Sequence, residues 1–84
     1  MDRYDTGMLV RSKAGHDAGK VYVIMKNDDA YVYLADGKIR TLDNLKKKKK
    51  KHVQIIHEKF DVTAITDVEL KRLLKLWNKE ERKN

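Results

Sequence analysis

The chain contains no cysteine and no proline. The first absence excludes a disulfide framework and every thiolate metal site, so apolar packing is the only staple available. The second leaves the strand-like segments uninterrupted. No stretch approaches the roughly 20 apolar residues of a membrane span. Met1 to Thr6 is acidic and polar where a signal peptide needs a basic start and an apolar run. A cytoplasmic protein without membrane contact is expected. Paired carboxylates, nucleophile motifs and P-loop glycine runs are missing too, so neither an enzymatic activity nor a cofactor is expected. His16, His52 and His57 are the only groups suited to acid–base or metal work near neutral pH, and their spacing supports neither.

What the chain does have is positive charge. Twenty Lys and Arg face 13 Asp and Glu, a net charge of +7, and the resulting field attracts polyanions, nucleic acid first. At 84 residues, with 40% apolar and 39% charged, it fits one small domain with a modest core and a heavily solvated surface.

From Gly7 to Leu42, short runs rich in Val, Ile and Tyr alternate with Gly and Asp clusters, the pattern of a small β-meander. Four strands are predicted here: Met8 to Lys13, Lys20 to Lys26, Tyr31 to Ala35 and Lys38 to Leu42. Asp36-Gly37 reads as a two-residue type I′ hairpin turn and Asn27-Asp28-Asp29 as a looser one. Ala14 to Gly19 is a longer loop with two glycines, suited to recognition. Period-two alternation predicts an interior of Val10, Val21, Val23, Met25, Val32, Leu34 and Ile39, with the tyrosines nearer the surface. Ile24 blurs this division because it shares a face with Tyr22.

Lys46 to Lys51 is an unbroken run of six lysines. Mutual repulsion predicts an extended or mobile linker that focuses charge. His52 to Phe60 returns to a strand-like composition and is predicted as a fifth strand. The last segment is helical. Thr66-Asp67-Val68-Glu69 has the form of a capping box, and Ile65 with Leu70 that of a hydrophobic staple. Leu70, Leu73, Leu74 and Trp77 fall on one stripe, while Lys71, Arg72, Lys75, Lys79 and Arg82 fall opposite. Glu80 to Asn84 is expected to fray.

The stretch Gly7 to Gly37, and within it G-M-L-V-R-S-K-A-G-H-D-A-G-K-V-Y-V-I-M, resembles a KOW motif, with Gly19 and Lys20 in the diagnostic place. With its polylysine segment and length, the chain resembles stand-alone bacterial KOW-domain RNA-binding proteins related to a large-subunit ribosomal protein. The resemblance covers the first half well and says little about Asp61 to Asn84. It implies an SH3-like barrel; together with the strands and helix read above, the expected fold is mainly β, a five-stranded barrel over residues 1–60, including the lysine-rich loop 46–51, followed by residues 61–84 as one docked C-terminal amphipathic helix. It also implies RNA contact through Arg11, Lys13, Gly15, His16, Gly19 and Lys20. Ribosomal RNA is then the preferred partner, ribosomal proteins are further candidates, and a monomer is expected.

Beside that reading, Lys46, Lys47, Lys48, Lys49, Lys50 and Lys51 are expected to neutralise phosphate. If about four meet phosphates, log affinity falls with log salt at a slope of roughly −3 to −4. A solubilising linker is the plainer alternative. Tyr22, Tyr31 and Tyr33 either stack on unpaired bases or pack under the helix. The basic helix stripe either faces RNA, lies on a membrane surface, or is simply solvated. The rival function is an SH3-like adaptor that binds proteins of the transcription or translation machinery.

Overall fold

The computed structural model describes residues 4–78. Strands β1 (Met8–Ser12), β2 (Val21–Asn27), β3 (Tyr31–Ala35) and β4 (Lys46–Lys49) are followed by a 3-10 turn (Lys50–His52), β5 (Val53–Lys59) and the helix α1 (Asp67–Asn78). One antiparallel sheet results, in the order β4-β3-β2-β1-β5. β4 and β5 are its two edges and share no ladder, so the sheet is open. No helix among the described residues is long and apolar enough to cross a membrane.

The first three strands and β5 lie within a residue or so of their predicted positions. The fourth does not. Residues 38–42 form no strand, because the Asp36 side chain supplies the turn with its hydrogen bonds. Its Oδ1 accepts from the backbone N–H groups of Lys38 at 2.8 Å and Arg40 at 2.9 Å, and its own N–H donates to Arg40 O. This is the local competition with a ladder at which Asp excels. A type I′ turn is ruled out as well: Gly37 has φ +76°, whereas no described residue other than glycine has a positive φ. Ile39, expected in the interior, is 69% exposed at the tip of this loop.

The vacant place beside β3 is taken by the lysine run itself. Lys49, Lys48, Lys47 and Lys46 pair with Tyr31, Val32, Tyr33 and Leu34. Lys46–Lys49 is therefore extended, as one of the two expectations had it, but as a paired edge strand and not a mobile linker, and Lys50 and Lys51 enter the 3-10 turn. Lysine is a poor strand former, but β3 offers free backbone groups, and a charged edge deters pairing with other chains.

Both faces of the sheet are buried, which the expected division into an aliphatic interior and an aromatic surface did not allow. Met8, Val10, Tyr22, Ile24, Val32, Leu34 and Val53 form one cluster, on the inner face. Leu9, Val21, Val23, Ala35, Leu70 and Leu74 form another on the outer face, under α1. Tyr22, expected near the surface, is only 3% exposed. A strand covered on both sides reads as a continuous apolar run, as Val21–Ile24 does, and alternation then carries no in-or-out information. Among the described residues no helix lies over the inner face. Instead the sheet curls: Lys48 on β4 reaches past β3 to Ala14 and Asp17 in the β1–β2 loop.

The helix begins as its capping box dictates. Thr66 N–H donates to Glu69 Oε1 at 3.0 Å, and Glu69 N–H to Thr66 Oγ1 at 3.2 Å. Ile65, Leu70, Leu73, Leu74 and Trp77 all join the outer cluster. Lys71, Arg72 and Lys75 are exposed opposite, while Lys79, Arg82 and the segment 80–84 lie outside the described residues. Two anchors that periodicity does not reveal hold the helix down. Asp67 Oδ1 accepts from Leu42 N–H at 2.8 Å, and the Asn78 amide bridges both backbone groups of Val21, at 3.0 and 3.2 Å.

Candidate nucleic-acid interface

Strand geometry divides the lysine run. Side chains alternate across a strand, so Lys46 and Lys48 share the inner face with Val32 and Leu34, whereas Lys47 and Lys49 share the outer face with Tyr31 and Tyr33. The inner pair is held by Asp17. Lys48 Nζ donates to Ala14 O at 3.0 Å and to Asp17 Oδ1 at 3.3 Å, and Lys46 Nζ lies 3.7 Å from Asp17 Oδ2. Lys47, Lys49 and Lys51 are exposed and make no ion pair among the described residues. Lys50 is half-buried, with its ammonium 5.0 Å from the centre of the Tyr4 ring.

Asp17 is the centre of this region and was not singled out in the sequence. Its Oδ1 also accepts from Ser12 Oγ at 2.9 Å, and its Oδ2 from Tyr22 OH at 2.9 Å. Burial by itself would raise the Asp17 pKa, but the hydrogen bonds from Ser12, Tyr22 and Lys48, with the charge of Lys48, outweigh it and hold the carboxyl at about 2. Burial and the same carboxylate push the Tyr22 phenol up. The only signal available beforehand was that Asp17 is the one acid in an otherwise glycine-rich and basic segment from Arg11 to Lys20.

A pH dependence follows. The Asp17 pKa is lower folded than unfolded, so the stability it contributes is complete above about pH 4 and is lost as pH falls through about 2. After allowance for solvent screening the contribution is on the order of 1–2 kcal/mol. Asp17→Asn should therefore flatten the acid limb of stability between about pH 4 and 2, as measured by urea titration at each pH, and a variant as acid-sensitive as the parent would contradict this assignment.

The Ala14–Gly19 loop is open to solvent at Gly15, His16, Ala18 and Gly19, and both glycines have φ near +90°. Lys13 is exposed too, and its N–H donates to His52 O at 2.8 Å, which ties the start of the loop to the 3-10 turn that carries Lys51. Two of the residues expected to contact RNA are engaged within the protein instead. Arg11 Nη1 donates to Gly19 O at 2.9 Å, and Lys20 Nζ pairs with the buried Asp36 Oδ2 at 2.7 Å. The Asp36 carboxyl, whose pKa burial would raise, is kept below its ordinary value by Lys20 and by the Lys38 and Arg40 amides. Lys13, His16, Lys47, Lys49 and Lys51 are thus exposed, with Gly15 and Gly19 in the loop, but Lys47 and Lys49 lie on the face opposite to Lys46 and Lys48, which are the lysines that the loop meets; Arg11, Lys20, Lys46 and Lys48 are left in supporting roles.

No family model matches the chain, and no curated protein does.

Proposed function

We propose that this protein is an RNA-binding module, and that its curled sheet is an SH3-like barrel of the KOW type. The observation that carries the RNA reading is that Lys47 and Lys49 alternate outward from a regular edge strand and Lys51 is exposed in the turn that follows, none of the three in an ion pair among the described residues. A flexible solubilising tail needs no such order, whereas phosphates at regular intervals are met best by cations at regular intervals. With Lys13 added, about four cations face outward, and a salt slope of roughly −3 follows. The lysines supply affinity, and the exposed glycine loop with His16 supplies fit to local RNA shape.

The barrel reading is supported by the strand order β4-β3-β2-β1-β5 and by the three-residue 3-10 turn that leads directly from one edge strand to the other. Ribosomal RNA as the partner rests on the KOW resemblance alone.

The test is affinity capture from cell extract with and without ribonuclease. The expected result is that large-subunit ribosomal material is captured and lost on digestion. Partners that survive digestion would favour the protein-adaptor reading instead.

A further inference from the structure

The outer face of the sheet has two halves. Beneath α1 it is aliphatic, with Leu9, Val21, Val23 and Ala35 fully buried. Beyond the helix, on β2, β3 and β4, it carries Tyr31 and Tyr33, both half-buried, surrounded by lysines. Lys47 Nζ lies 4.3 Å from the Tyr31 ring centre and Lys26 Nζ 5.5 Å from that of Tyr33, while Lys49 stands opposite Tyr31 in register.

This arrangement depends on a bulge. The β2–β3 register shifts between Ile24 and Lys26, so that Ile24 pairs with Leu34 on the inner face and Lys26 with Tyr33 on the outer one. Without the extra residue, Lys26 would share a face with Ile24, and Tyr33 would lose its cation. The rings are also held in place. Asp28 Oδ2 accepts from Tyr33 OH at 2.8 Å, and Asp28 Oδ1 accepts from the N–H groups of Ala30 and Tyr31 at 3.1 and 2.8 Å. The turn that carries the tyrosines is therefore ordered before any ligand arrives.

We infer that Tyr31 and Tyr33 form a stacking platform for two unpaired nucleotides, with Lys26, Lys47 and Lys49 on the flanking phosphates. The inference rests on the RNA-binding reading and specifies its ligand as a single strand, not a duplex. Two residues apart on one strand, the rings are spaced by about 6.7 Å. That is about twice the 3.4 Å rise of stacked bases, so each ring takes one base from a splayed strand, which is how unpaired loops present themselves. A duplex keeps its base faces stacked on one another and cannot use the platform. Lys47 covers one side of Tyr31 in the free protein. A nucleotide brings its own phosphate, which draws the ammonium away and leaves the ring face to the base.

The test is fluorescence anisotropy with a labelled 12-nucleotide single-stranded RNA, an RNA duplex of the same length and the matching DNA strand. The parent should bind the single strand more tightly than the duplex. Y31A/Y33A should weaken single-strand binding by at least about tenfold and duplex binding by less than about twofold, with the salt slope retained. Y31F/Y33F, which keeps the ring faces, should restore single-strand binding. Ring-proton resonances of Tyr31 and Tyr33 in the parent should move upfield on addition of the single strand, a readout that does not depend on the variants folding. The DNA strand reports the sugar: equal affinity supports stacking alone, and tighter RNA binding supports stacking with a contact to the ribose. Unchanged single-strand binding by Y31A/Y33A with still ring resonances would overturn the platform and leave the RNA reading intact. Failure of the parent to bind any of these RNAs at low salt would overturn the RNA reading itself.

Discussion

Replacing Lys47, Lys49 and Lys51 together by serine is expected to reduce RNA affinity on the order of 100-fold at ~0.1 M salt and to remove about two units from the salt slope. Stability should stay within about 1 kcal/mol of the parent, because all three side chains are exposed and make no ion pair among the described residues, the contact of Lys47 with the Tyr31 ring being a surface one. The matching change at the inner positions should do the reverse. Lys48 is 11% exposed and bonded to Ala14 O and Asp17, so Lys48→Ser leaves a half-buried carboxylate and a carbonyl short of a donor. The expected cost is about 1–3 kcal/mol of stability, with little effect on affinity per folded molecule. Paired salt titrations and urea melts of the two variants decide the matter. If both lose affinity equally, the lysine run binds as an unstructured polycation and its alternation is irrelevant.

Gly37→Ala should be the most damaging single exchange of a small residue. A Cβ at this position would lie 2.2 Å from Asp67 O and 2.7 Å from Lys71 N, both backbone atoms near the start of α1, and φ is +76°. Backbone cannot move aside as a side-chain tip can, so the turn after β3 and the start of the helix must separate. Strain of about 1–2 kcal/mol from the left-handed conformation adds to about 1–3 kcal/mol of overpacking. A total near 3–4 kcal/mol is a large share of the roughly 4–12 kcal/mol that a chain of this size commands. Gly19→Ala is the control. Its φ is +92° but nothing lies within 4 Å of the added methyl, so only the strain remains. Thermal melts should therefore place Gly37→Ala more than about 10 °C below the parent, with Gly19→Ala well above it. Equal melting temperatures would mean that the contact between turn and helix is not as close as described.

The contrast between these glycines shows where local pattern stops being informative. Asp36-Gly37 looks like a hairpin turn because the dipeptide usually is one. Here Asp36 is 3% exposed, paired with Lys20, and the carboxylate organises a wider loop that brings Gly37 against α1. Alternation along a strand over 38–42 puts Ile39 in the core, and Ile39 is exposed because residues 38–42 form no strand. Among the candidate contacts, Lys13, His16 and the loop glycines are on the surface as expected. Arg11 and Lys20 bear the same charge and lie in the same segment, yet they serve the protein's own carbonyl and carboxylate groups.

By itself the sequence determined β1, β2, β3, β5, the open glycine loop, the capped start of α1 and the helix stripe that docks. Each of these is written in side-chain spacing or turn chemistry over a few neighbouring residues, and local free energy is enough to select it. Only the tertiary structure decided that Lys46–Lys49 is a strand, which lysines of the run face solvent, and that a lone aspartate holds Lys46 and Lys48. Those outcomes depend on partners such as Asp17, 31 residues from Lys48, and β3. Six identical side chains carry no local signal that could distinguish one from the next; the pairing register and the countercharge distinguish them.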